Sequence, residues 1–402
     1  MEVEATPKSE SLPPTGFHED SPTPTQEIES ALNHTIASAL DFANWDEGTG
    51  WQGLEKARRY LTKSLEKQDR LVGSVRKHVL QELRSFPNHP DNAGVFQVKE
   101  KDLRFARQSI LISGNTTAVR GASVAHEGMA ASLVSIGVCL TKYDGHFRSW
   151  RNVFMRHECD IRSDNPVAEI KAILNQRARR SRMGPAARGS DTLSKLMRRA
   201  FQSAAERKSL LEKCNSRWRM GHGVPAPYEL LSGSGSMGLI DHILPVLEDL
   251  LINEKRWVFI PSSMSNLAFM TLAAALRPHE LAIIQKAKPT FDAMLDMSHL
   301  GPTYHANVRE FVDKAGDQII IGGFRATKFA PPQLFFAHAE YAIGAGLVAM
   351  ADAELQPHRG YPLLLELAGL SCKTSLGVDA FQGMVESTYA AAHAVRYDLA
   401  EN

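Results

Sequence analysis

Two turns bring short polar side chains to places where strands are expected to end. "ILISGNTT" and "ELLSGSGS" each run apolar, apolar, Ser-Gly and then polar, which predicts a buried strand stopping at Ser113 in the first and at Ser232 in the second. Carboxylates at two such exits, on neighbouring strands, can share divalent metal ions for phosphodiester hydrolysis. Serine in both places changes that expectation, because a neutral hydroxyl is a weak ligand for a hard dication. The acids that could stand in are Glu127 after the first turn, Asp144 at the end of the next strand, and Asp241, about one turn into the helix after Ser232. Asp241 is the best placed, since a helix starting at a strand exit can turn it back over the sheet edge. The plainer role for such an acid is to complement the helix dipole with no metal at all.

Other chemistries find less support. "SGSGSMG" could present helix N-terminal amides to a phosphate. It lacks the Gly-Lys-Ser/Thr ending of a nucleotide loop and the full GxGxxG spacing, so Gly233, Gly235 and Gly238 read as turn and packing residues. Ser234 stands in Gly-Ser-Gly without the wider GxSxG of a nucleophile elbow. His126, His157, His222, His242, His338 and His358 are scattered, and none forms an HxxxH pair beside an acid. The firmer signal is a basic stretch with Arg177, Arg179, Arg180, Arg182, Arg188, Lys195, Arg198 and Arg199, scarcely diluted by acid. In a chain whose formal charge is only +1, this concentrates positive charge as contact with a phosphate backbone requires. A solvated helix surface, or a site for an acidic partner, is the alternative.

The elements that must position these groups follow from periodicity. Residues 1–30 are rich in Pro, Ser, Thr and Glu and predict a disordered tail. From 31 to 100 the pattern is amphipathic and helical, with Leu61, Leu65, Leu71 and Val75 expected along one buried stripe. From 101 to 402, "RQSILISGNTT", "MAASLVSIGVCLTKYDG", "YELLSGSGS", "RWVFIPSS", "QIIIGGFRA" and "PQLFFAHAEYA" read as strands. "MGLIDHILPVLEDLLINE", "MSNLAFMTLAAAL", "GAGLVAMADAEL" and "VDAFQGMVESTYAAAHAV" read as helices, with a basic helical insertion at about 165–220. The alternation predicts an α/β fold with a mixed sheet. At 402 residues and 43% hydrophobic content the chain can bury a sizeable core. Four distant cysteines suit a reducing cytoplasmic setting, and no run approaches the roughly 18 apolar residues of a membrane span.

From about Gln108 onward, the order of short motifs resembles the NurA nucleases. That family carries an apolar strand ending in Asp-Gly-Ser, then a segment like "HEGMAASLVSIGV"; a Leu-Leu-Asp-Gly turn before a helix; and Gly-Tyr-Pro followed by an Ala-His pair. Here the matches are Ile112-Ser113-Gly114-Asn115, Leu230-Leu231-Ser232-Gly233, Gly360-Tyr361-Pro362 and Ala368-Gly369. The resemblance implies an RNase H-like core, a homodimer on the ring of a HerA-type hexameric ATPase, DNA as substrate and manganese or magnesium as cofactor, in DNA repair or anti-phage defence. It also implies that both metal-binding aspartates are serine and the late histidine is Gly369. The family's helical acid falls near Phe201, with Glu206 as nearest substitute and His358 as a stand-in for the histidine. On this alignment the chain is expected to handle DNA with weak or no cleavage. The alternatives are an active nuclease using other carboxylates, and a regulatory protein-binding module.

Overall fold

The computed structural model describes residues 34–45, 51–128, 131–157, 195–262 and 267–394, with isolated residues outside those stretches. Arg177, Arg179, Arg180, Arg182 and Arg188 lie outside them. The chain divides into two compact units, Met1–Val79 and Leu80–Asn402.

In the first unit a short helix α1 (Ile36–Leu40) precedes a long α2 (Trp51–His78). Thr35 caps α1 by accepting from the Ser38 amide at 3.1 Å. The helical period of α2 is as the sequence predicts. Its leucine stripe is not buried, for Leu61, Leu65 and Leu71 are 59%, 51% and 52% exposed.

The second unit is built on one nine-stranded sheet: β1 (Gly94–Gln97), β2 (Thr116–Glu127), β3 (Ala131–Thr141), β4 (Phe147–His157), β5 (Trp218–His222), β6 (Trp257–Ile260), β7 (Glu280–Lys286), β8 (Ile319–Arg325) and β9 (Gln333–His338), in the order β1-β7-β8-β9-β6-β5-β2-β3-β4. β2, β3 and β4 form an antiparallel meander, β5 runs parallel to β2, and β6 runs parallel to β5. That block of five is the RNase H-like arrangement. β9, β8, β7 and β1 extend it, each antiparallel to its neighbour. Residues 80–100, expected in the helical extension, therefore belong to the sheet unit and supply its edge strand.

Helices cover both faces. α3 (Glu100–Phe105) precedes β2, and α4 (Lys195–Glu212) joins β4 to β5. α5 (Tyr228–Leu231) and α6 (Met237–Glu248) join β5 to β6. They are followed by α7 (Leu267–Ala274), α8 (Lys288–Asp296), α9 (Pro302–Gly316), α10 (Ala342–Ala353), α11 (Leu363–Leu376) and α12 (Val378–Ala391). Glycines show which face each helix takes. A Cβ on Gly121 of β2 would lie 2.6 Å from Gln202 and Glu206 of α4, whereas one on Gly137 of β3 would lie 3.1 Å from Leu376 of α11. Gly121 is registered with Val138, one residue past Gly137, so α4 and α11 lie on opposite faces of the meander. Among the described residues, no helix is long and apolar enough to cross a membrane.

Two predicted strands are helical. "RQSILISGNTT" is the continuation of α3, a π-helical stretch from Ala106 to Asn115 that ends on Gly114 at φ +74°; β2 begins only at Thr116. Leu103, Ala106 and Leu111 recur at helical spacing and are buried, a period that a short apolar run cannot reveal. "YELLSGSGS" is α5 and a following 3₁₀ turn. Pro227 at its N-cap brings the chain in extended and opens the helix, and Leu230 and Leu231 are both buried, which alternation along a half-buried strand would not allow.

α10 packs against the sheet through small residues and carries one acid, Asp352, into full burial. Tyr143, in the turn between β3 and β4, donates its hydroxyl to Asp352 Oδ1, and the Leu364 amide at the start of α11 donates to Oδ2 at 2.9 Å. Burial pushes this carboxyl up to about 7. Below pH 4 the acid is protonated folded or unfolded; between about 4 and 7 only the folded chain holds its proton, so stability falls as pH rises through that window. Urea midpoints taken across it should show this decline in the wild type, and Asp352→Asn should flatten it.

Candidate functional site

β2 and β5 pair in parallel, Thr116 beside Trp218, Thr117 beside Arg219 and Ala118 beside Met220. Pairing stops there, and the same register carried two residues further sets Arg120 opposite His222. These are adjacent-strand positions of the kind at which two acids would share a divalent ion, and the residues in them are a guanidinium and an imidazole.

The strands part because a side chain comes between them. The Gly121 amide donates to Glu206 Oε1 of α4 at 2.7 Å instead of joining a ladder with β5. Glu206 can approach because Gly121 has no Cβ to block it. Gln202, one turn earlier, donates to the same oxygen at 3.2 Å, and Arg207 Nη1 donates to Oε2 at 2.7 Å. Both carboxylate oxygens are thus engaged.

Arg207 is 1% exposed and uses its remaining N–H groups on backbone carbonyls. Nε donates to Pro225 at 3.2 Å, Nη1 to Ser203 at 3.3 Å, and Nη2 to Val224 at 2.6 Å and His222 at 3.3 Å. Its guanidinium carbon lies 5.1 Å from the centre of the Phe259 ring. One side chain therefore fastens α4 to the turn that leaves β5. Burial pushes the Glu206 carboxyl up and the Arg207 guanidinium down, each resisted by the opposite charge of its partner.

His222 Nε2 lies 3.2 Å from Ser262 Oγ. Burial, then the positive charges of Arg120 and Arg207, push the imidazole down to about 4, so it is neutral at physiological pH. Arg120 points to the other face of β2, toward α11, where a Cβ on Gly369 would fall 2.8 Å from its Cδ. Behind it Tyr361 is buried, with its hydroxyl 3.4 Å from the Ile260 carbonyl oxygen. This donor set does not fit a pair of divalent cations, which need anionic oxygens: it offers a guanidinium, a neutral imidazole and one carboxylate already bonded through both oxygens.

The residues singled out from sequence fall elsewhere. Ser113 is exposed on the π-helical stretch, donating to the Ser109 carbonyl at 2.8 Å and accepting from Asn115 Nδ2 at 3.0 Å. Ser232 is buried after α5, where its hydroxyl accepts from the Ser234 amide at 3.4 Å. Neither stands on a strand. One precedes the start of β2 and the other follows the end of β5, whereas parallel partners share a site only at the same end. Asp241 is exposed on α6 and accepts from the Tyr304 hydroxyl of α9 at 3.2 Å. Glu127, at the end of β2, pairs with Arg198 of α4 at 2.7 Å, which also removes Arg198 from the free cations. Lys195 and Arg199 remain exposed on α4. Asp144 accepts from the His146 amide at 3.0 Å, and the His358 ring packs 5.4 Å from Phe329. Of the positions read from sequence, Glu206 and Gly369 are at the meeting of β2 and β5. Arg120, Arg207 and His222 join them there, and the signal that Arg120 and His222 offered is a glycine directly after each. Among the described residues, no group of three or more His, Cys, Asp or Glu could hold a metal ion.

No family profile and no curated protein matches the sequence. Among solved structures the chain is similar to the NurA nuclease from Sulfolobus solfataricus, at 9% identity and a TM-score of 0.42 over 84% of this chain and 98% of that one. A second NurA structure gives 10% identity and 0.41, over 79% and 94%. One of NurA bound to dAMP and manganese gives 9% and 0.40, over 80% and 93%.

Removing Arg207 while keeping Glu206 takes the paired charge from a buried carboxylate and the guanidinium's hydrogen bonds from four backbone carbonyls. Arg207→Met should cost about 3 to 5 kcal/mol in urea unfolding. Combining it with Glu206→Gln should cost less than the two single changes added together.

Proposed function

We propose that this chain is a NurA-like DNA-handling protein that has exchanged metal-dependent cleavage for a metal-free, internally neutralised centre. It guides DNA and docks on a HerA-type hexameric ATPase as a homodimer in the cytoplasm, in DNA-end processing or anti-phage defence. The motif order in the sequence supports the family reading, and the RNase H-like strand order supports the fold that goes with it. One observation carries the loss of cleavage: the adjacent positions on β2 and β5 hold Arg120 and His222.

On this reading the family motifs lie on β2 and β5 themselves. Arg120-Gly121 repeats the residue-then-glycine step of the first motif, inside β2, and His222-Gly223 repeats that of the second, at the end of β5. We set the family's aspartates at Arg120 and His222 in place of Ser113 and Ser232. Gly369, where the family has histidine, lies against Arg120, and Glu206 is the helical acid that remains. A guanidinium and a neutral imidazole stand where the reaction would need two negative groups, so the electrostatic reason for inactivity is stronger than with serine. Lys195 and Arg199, exposed on α4, supply cations for the DNA backbone.

Calorimetric titration with manganese and cleavage assays on single- and double-stranded DNA test this. The wild type should show neither tight manganese binding nor cleavage. Arg120→Asp combined with His222→Asp should raise manganese affinity at least tenfold, an effect that Ser113→Asp with Ser232→Asp should not reproduce. Manganese-dependent cleavage by the wild type that disappears in Glu206→Gln would overturn the proposal.

A further inference from the structure

At the end of β5 and β6 away from His222, the chain forms a cleft of about 380 Å³. It is walled by the segment between α4 and β5, by the turn before β6 and by Tyr341 ahead of α10. Parallel register places Trp218 level with Arg256, so the arginines that open the two strands, Arg217 and Arg256, come to the same edge. Arg219 and Lys255 complete a lining of four cations.

Two of the four are neutralised within the protein. Arg219 pairs with Glu254 at 2.7 Å and Lys255 with Glu340 at 2.6 Å. Arg256 lies with its guanidinium carbon 5.0 Å from the centre of the Tyr341 ring, its Nη2 at 3.4 Å from the phenol oxygen, and no carboxylate is among its bonds in the described residues. Arg217 is exposed at the rim. Four cations against two carboxylates leave a surplus of two. The turn is also strained: Lys255, a non-glycine residue, has φ +41°, and backbone held in that region concentrates where a surface has work to do.

We infer that this cleft is a binding site for a phosphate group carried by a nucleotide, either free or within a DNA strand. Guanidinium forks match phosphate oxygens bidentately, and a surplus of two charges suits the dianion of a phosphate monoester better than a single carboxylate. The volume falls in the range of small-ligand sites and accommodates one nucleotide beside the Tyr341 ring. The site is distinct from the meeting of Arg120 and His222 and stands whether or not that centre holds metal.

The test uses the full chain, with a fluorescent thymidine oligonucleotide read by anisotropy and with AMP and orthophosphate as competitors. Arg217→Gln combined with Arg256→Gln should weaken oligonucleotide binding at least tenfold and lower the salt slope by about one per arginine removed. Replacement of both by lysine should keep most of the slope but lose affinity. Arg217→Gln alone, at an exposed position, should show the same direction with an unchanged thermal melt. Displacement of the oligonucleotide by AMP identifies a free nucleotide as ligand; displacement only by a second oligonucleotide identifies the strand. The inference is overturned if the folded double glutamine variant binds all three probes like wild type, or if polyglutamate binds the wild type more tightly than the oligonucleotide does. It is also overturned if Arg120→Asp with His222→Asp abolishes the binding instead.

Discussion

The ion pair between Glu206 and Arg207 at the fork of β2 and β5 is the constraint on which the site depends. A carboxylate taken fully out of water is tolerable only if its charge is matched and its oxygens are bonded. Glu206 meets both conditions with the Gly121 amide, Gln202 and Arg207, and Arg207 is in turn satisfied by carbonyls from α4 and the turn after β5. Neither residue is held by the surface. The pair is therefore less a source of stability than a device that fixes where α4 stands and where β5 turns away from β2.

Absent side chains make room for that device. Without a Cβ on Gly121, Glu206 reaches the strand. Without one on Gly221, the Phe259 ring crosses β5 at a place where a Cβ would lie 2.1 Å from it, and that ring is the surface on which the Arg207 guanidinium rests. On the other face, Gly369 leaves space that the Arg120 side chain fills. The three glycines are adjacent in space though distant in sequence, and each admits a larger neighbour. The arrangement of charge is in this sense set by packing.

Much of the fold was legible because its elements are continuous. "RWVFI", "QIIIGGFRA" and "QLFFAHAE" are apolar runs of strand length, and "MGLIDHILPVLE" keeps a helical period; all form as their patterns predict. β2 was hidden because Arg120 and Gly121 interrupt an otherwise alternating segment, while "ILIS" just before it resembles a strand. The interruption has a cause that only the folded chain reveals, since Arg120 faces α11 and Gly121 faces α4. β5 was hidden for a related reason: within five residues it carries Arg219, whose charge is tolerable only because Glu254 meets it, and His222. Glu206 and Gly369 were nearer to hand because both sit in helices, where position relative to Arg198-Arg199 and to Gly360-Tyr361-Pro362 is set by a regular period. A position shared between two strands needs their register, which no local spacing contains.

That register also shows how charge is arranged where β2 and β5 meet. Acids on two adjacent strands, with a third from a helix, repel one another unless a cation lies among them, so such a fold is strained when empty. Here the negative charge of Glu206 faces Arg207 directly and feels Arg120 beyond it, while the His222 imidazole, pushed down to about 4 by burial and the two guanidiniums, adds no charge. The carboxylate is neutralised from within and gains nothing from a divalent ion, which would meet two fixed positive charges at close range. On the proposed reading, stability without metal and exclusion of metal have one electrostatic cause. What the sheet retains is a rigid frame with cations at both ends of its central parallel strands: one set turned inward to hold the fold, the other, at Arg217 and Arg256, left open to an anion from outside.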